Sequence, residues 1–186
     1  MKDPLRVIVG VFGVLTAYAA IAFYFRWPIV EDLWPWKGYD AQLSPLSFYF
    51  VSSIMAAISA PLIWLAATNR MRAAGGGALN LIVAFSAIAV YMFLGSLRDR
   101  ANTALLVGGV LFAVSVVLTG VIGARVRKVP FQDTRPMPRT VFVSFIVFVV
   151  ALVLVGGALV LRVPDILPWS LSEEASVVYG WVFLGA

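Results

Sequence analysis

The side chains in this sequence with the most reactive chemistry are carboxylates gathered in two stretches. Glu31, Asp32 and Asp40 lie in RWPIVEDLWPWKGYDAQLSPLSFYF (26–50), and Asp165, Glu173 and Glu174 in RVPDILPWSLSEEASVVYGW (162–181). Carboxylates held about 5–10 Å apart over a pocket can act as an acid/base or acid/nucleophile pair on a glycosidic bond. The same residues can also hold a cation or form a docking surface, although acidic loops are most often simply solvated.

Other reactive chemistries lack their residues. The chain has no His, the commonest metal ligand and the usual neutral-pH proton carrier, and no Cys for a thiolate nucleophile, a disulfide or a thiolate metal site. The residue set therefore points to no cofactor and no metal. Gly75-Gly76-Gly77 lacks the Lys-Ser/Thr and the preceding strand of a phosphate-binding loop, and reads as a tight turn.

The elements that position the two acidic stretches are oily. The chain has 186 residues, 62% hydrophobic and 12% charged, against about 25% charged in an ordinary soluble domain. The apolar residues fall into runs at 5–25, 43–68, 78–97, 104–124 and 141–161, and only Arg6, near one end, interrupts them with a charge. About 20 apolar residues cross ~30 Å of hydrocarbon as a helix, and lipid obliges the backbone to satisfy its own hydrogen bonds. The fold class expected is all-α, a polytopic transmembrane helical bundle with five full spans. A sixth run, 177–186, is too short to cross; it is either a half-helix or, the expectation here, the start of a span that continues beyond the sequence given. Ala17-Tyr18-Ala19 resembles a signal-peptidase site, but the apolar run continues through Ile21, Phe23 and Phe25, which suits an uncleaved first span.

Charge assigns a side to each loop. With the N-terminus cytoplasmic, inner segments carry nine cations and two acids, and outer segments five cations and seven acids. The balance is +7 inside and −2 outside, which together give the chain's +5. Cationic loops favour the cytoplasmic side, so the expectation is a cell (inner) membrane protein of bacterial type with its N-terminus inside. The basic balance then reports contact with anionic inner-leaflet lipid. No nucleic-acid-binding motif accompanies it.

Both acidic stretches fall on the outer side and are written alike. Arg26 and Arg162 stand at helix ends, where a cation meets the negative end of the helix dipole, and Pro28 and Pro164 stop each helix. Pro35-Trp36 and Pro168-Trp169 follow, and with Trp27 and Trp34 these rings suit the bilayer interface. Ser44-Pro45 reads as a cap with proline at the first helical position. Ser170-Leu171-Ser172-Glu173 has the capping-box pattern. This predicts a parallel internal repeat: residues 1–128 as a first four-span unit, 129–139 as a basic, proline-rich connector, and 140–186 as the start of a second unit. The plainer account is that any outer loop between spans collects Arg, Pro and Trp.

Within the spans, close approach at small residues should drive packing. Ser52, Ala56 and Ala60 form the stripe expected at a helix contact, and Gly109/Ala113 is a second pair. Gly13/Ala17 and Gly120/Ala124 have the same spacing. Pro61 should kink its helix and is a possible hinge. Tyr18, Tyr24, Tyr91 and Asn80 read as hydrogen bonders between helices.

Three functions follow. A non-catalytic structural or accessory subunit would associate with other membrane subunits or with a second copy of itself. A permease for a neutral or hydrophobic solute would have a midplane cavity lined by Asn80, Ser or Tyr. An enzyme would bring at least two of the outer acids together over a pocket.

Overall fold

The computed structural model describes residues 4–32, 45–100, 102–130 and 136–186. The described residues form helices α1 (Pro4–Tyr24), α2 (Pro28–Asp32), α3 (Pro45–Thr68), α4 (Ala74–Arg98), α5 (Thr103–Val126), α6 (Arg139–Val160) and α7 (Glu173–Gly185), with a short 3-10 turn at Met71–Ala73. No strand occurs among them. Five spans, Pro4–Tyr24, Pro45–Thr68, Met71–Arg98, Thr103–Val126 and Arg139–Val160, are long and apolar enough to cross a membrane. Each expected run is thus a helix. Helix α7, with 13 residues, covers roughly 20 Å and falls short of a crossing.

By its contacts the chain divides into two compact units, Met1–Gly75 and Gly76–Ala186. The division falls inside the 1–128 segment, but compactness and duplication are separate properties.

In the first unit α1 and α3 form an antiparallel hairpin. A Cβ added at Gly10 would lie 3.2 Å from Ala66, and one at Gly13 3.0 Å from Ile63. Nearer the other end, the Ser52 hydroxyl donates to the Ala20 carbonyl (2.8 Å). The seam takes Leu5, Val9, Gly13 and Ala20 from α1, and Phe48, Ser52, Ser59 and Leu65 from α3. The expected stripe is corrected here. Ser52 is in the seam, but the line continues through Ser59, and Ala56 and Ala60 are exposed. Phe48 and Ser52 are four residues apart and Ser59 is seven further on, the spacing that keeps side chains on one helix face. Pro61 lies within α3, which runs through it. Proline removes the N–H that the Ala57 carbonyl would otherwise accept.

In the second unit α4 and α5 are antiparallel. A Cβ at Gly109 would meet the Phe93 ring at 3.1 Å, and one at Gly123 would meet Ala78 at 3.3 Å. Phe85 and Phe112 meet edge to face at 5.2 Å between centroids. Asn102 caps α5 by accepting from Leu105 N–H. Gly109 is buried and Ala113 half-buried, whereas a Cβ at Gly120 would meet nothing within 4 Å. Gly75, Gly76 and Gly77 lie inside the first turn of α4. The reversal expected there occurs earlier, at Asn69 (φ 58°) and the 3-10 turn.

Helix α7 lies against both α6 and α4. A Cβ at Gly180 would stand 2.7 Å from Val160 N, and one at Gly185 2.7 Å from Ala84. Glycine at these crossings lets backbones meet directly, which is how helices associate in lipid.

Candidate functional site

The ends of α1 and α6 carry the same local device. In each, an arginine adopts a left-handed conformation just past the helix, Arg26 at φ 51° and Arg162 at φ 58°. The next residue closes a six-residue ring: Trp27 N–H donates to Ala22 O (3.0 Å) and Val163 N–H to Ala158 O (2.9 Å). This is the Schellman stop, in which glycine usually takes the left-handed position. An L-residue other than glycine costs roughly 1 kcal/mol there. Two arginines accept that cost, so their side chains must contribute something that glycine cannot. The sequence places both at helix ends but gives no sign of their backbone conformation.

The arginines have different described partners. The Arg26 guanidinium lies over the Phe48 ring, 5.3 Å from its centroid, and Phe48 is fully buried. Trp27 meets Tyr18 edge on (5.2 Å), and Tyr24 meets Tyr49 (5.4 Å). Arg162 pairs with Glu173 through Nη1 and Oε2 (2.5 Å), and its charge lies within electrostatic reach of the Tyr91 hydroxyl of α4. Glu174 and Arg98 lie within electrostatic reach of the same hydroxyl.

The α6–α7 corner holds a partly open cavity of about 280 Å³. Its polar lining is Arg162, Asp165, Ser170, Ser172, Glu173 and Ser176, with Trp169 beside them. Asp165 is itself left-handed (φ 59°). Two of the six candidate acids, Asp165 and Glu173, thus share one cavity. Glu174 follows Glu173 in the first turn of α7, at the positive end of the dipole. The capping box predicted at Ser170–Glu173 is corrected. The cap is Ser172, which accepts from Ala175 N–H (3.1 Å), and Glu173 is the first helical residue. Ser172 prevails because its backbone is extended (φ −67°, ψ 159°), as an N-cap requires. Behind the cap, the buried Ser176 hydroxyl donates to Leu159 O (2.8 Å) and ties α7 to α6.

In the first stretch, Trp34, Trp36 and Asp40 lie outside the described residues, as do the side chains of Glu31 and Asp32. Among the described residues no group of three or more His, Cys, Asp or Glu is placed to hold a metal ion.

The Arg162–Glu173 pair has both side chains well exposed, 48% and 69%. Exposed pairs contribute at most about 1 kcal/mol. A double-mutant cycle with Arg162→Gln and Glu173→Gln, read by thermal unfolding in nanodiscs, should give a coupling of roughly 0.5–1 kcal/mol. A coupling several times larger would mean that the corner is shielded from water.

Comparison with known protein families, with curated proteins and with solved structures finds no match for this chain.

Proposed function

We propose that the chain is a non-catalytic membrane component, a structural or accessory subunit that works by helix association. It is oriented with its N-terminus in the cytoplasm of a bacterial-type cell and its basic segments on anionic lipid. The observation that carries this reading is the state of α6. This helix is the most apolar of the five spans, yet residues 139–151 are exposed on every side, among them Phe142, Phe145 and Phe148. Only its outer part, at Gly156 and Leu159, is buried. A subunit that joins a larger assembly needs such a free helix face. The hydroxyls of Thr16, Ser53, Thr68, Ser115 and Ser144 donate to carbonyls of their own helices, which fits spans built for packing.

The repeat belongs to the same proposal. Its support is the pair of left-handed arginine stops, each followed by proline two residues later, and the pair of serines, Ser52 and Ser176, that each tie a returning helix to the one before it.

A photoreactive residue at Phe145, activated in intact membranes, tests the subunit reading. The expected product is a discrete protein adduct, with another subunit or a second copy. Adducts with lipid alone would sink it. A second reading, an enzyme acting on a lipid or glycan, draws on the cavity that Asp165 and Glu173 share.

A further inference from the structure

A second concavity lies on the first unit. It is an open groove of about 550 Å³ along the α1/α3 seam, lined by Val7, Gly10, Val14 and Leu15 from α1 and by Ala66 and Ala67 from α3. From Val7 to Leu15 it follows α1 for roughly 12 Å, away from the end of the helix. Small residues make it: Gly10 has no side chain, and its backbone sits so close that a Cβ would lie 3.2 Å from Ala66. An apolar, open trough along the side of a membrane-spanning hairpin can take a lipid tail.

One end of the trough is cationic. The Arg6 guanidinium closes it by donating from Nε to the Ala66 carbonyl and from Nη2 to the Ala67 carbonyl (3.1 Å). Both carbonyls belong to the last turn of α3, where intrahelical donors run out. A guanidinium has five N–H groups, so three are not used by these two bonds. Arg70 lies at the same end, over Trp64 at 5.8 Å. By sequence, segments 1–6 and 69–75 together hold four cations, Lys2, Arg6, Arg70 and Arg72, and one acid, Asp3. The groove thus joins an apolar channel to two cations, Arg6 and Arg70.

We infer that this groove is a binding site for one anionic phospholipid, with an acyl chain lying between α1 and α3 and the phosphate on Arg6. The site gives a place to the lipid contact proposed above, and it requires only that the hairpin cross a bilayer. It stands or falls independently of crosslinking at Phe145.

The test is native mass spectrometry of the full chain in detergent, incubated with equal amounts of phosphatidylglycerol and phosphatidylcholine. The wild type should retain one phosphatidylglycerol in preference to phosphatidylcholine. Arg6→Gln should cut that preference about fivefold, the factor corresponding to one basic residue at an anionic surface. Arg6 also caps α3, so Ala67→Phe provides a second route. It leaves Arg6 in place, fills the trough and should abolish retention of both lipids. Arg127→Gln, outside this unit, should change nothing. Equal retention of the two lipids by the wild type overturns the site, as does an unchanged preference in Arg6→Gln or undiminished binding in Ala67→Phe. An equal fall in Arg127→Gln assigns the preference to general surface charge and overturns it too.

Discussion

Gly180→Ala should separate α7 from α6 and cost about 2–3 kcal/mol, the upper range for overpacking. The new Cβ would lie 2.7 Å from both Val160 N and Val160 Cγ2, and 2.8 Å from Gly156 O. Two of those three atoms are backbone. They cannot rotate aside, so the helices themselves must move apart. Lipid does little to hold them together otherwise, because separated helices remain in an apolar solvent and packing supplies much of the attraction. Gly108→Ala is the informative contrast. Its Cβ would come closer still, 2.3 Å from Met92 Cε, but that atom is the far end of a flexible side chain that can repack. The loss there should stay below about 1 kcal/mol. Thermal unfolding of the two variants in nanodiscs checks the order. If Gly108→Ala is as damaging as Gly180→Ala, the direct backbone contact at the α6–α7 crossing is not what holds α7.

The spans were legible because lipid imposes a length and a composition. The run 104–124 became α5 at Thr103–Val126, and 141–161 became α6 at Arg139–Val160. Their faces were much harder to read. A soluble helix announces its buried stripe by alternating apolar and polar residues, but a helix apolar all round gives no such contrast. The rule of small residues therefore picked Ala56 and Ala60 on α3, while the seam uses Phe48, Ser52, Ser59 and Leu65. Serine was the better signal, since the Ser52 hydroxyl can donate a hydrogen bond to a carbonyl of the neighbouring helix. Of the corner site, the sequence shows the ingredients, Arg162, Asp165, Trp169 and Glu173. It does not show that Arg162 pairs with Glu173, or that both come near Tyr91 of α4, because Tyr91 lies on a helix far away in sequence. The Arg6 contact is hidden for the same reason. A cation at the start of the first span looks like a topology signal, and only the hairpin brings it to the end of α3.

Phe48→Ala should loosen the Arg26 end of the α1/α3 hairpin by about 2 kcal/mol. In a soluble core the same truncation costs 3–5 kcal/mol, part of it for transferring the ring out of water. That part shrinks here, because the ring of a separated helix still finds lipid. The packing part remains. Phe48 is 0% exposed, lies 6.2 Å from Phe23 between ring centroids and has the Arg26 guanidinium over its ring. Removing it opens a void that costs its neighbours their dispersion contacts and takes a stacking partner from an arginine already held in a left-handed backbone. Phe48→Leu separates the two effects. It keeps most of the volume but has no ring for a cation, so it should cost about 1 kcal/mol or less, in the range of a partly exposed cation–π contact. The readout is thermal unfolding in nanodiscs, together with protease access to the chain between α1 and α3. Equal losses in the two variants would show that the guanidinium–ring contact, and not the filling of the seam, fixes this corner. A large loss in Phe48→Ala beside a small one in Phe48→Leu would show that the filled seam positions Arg26.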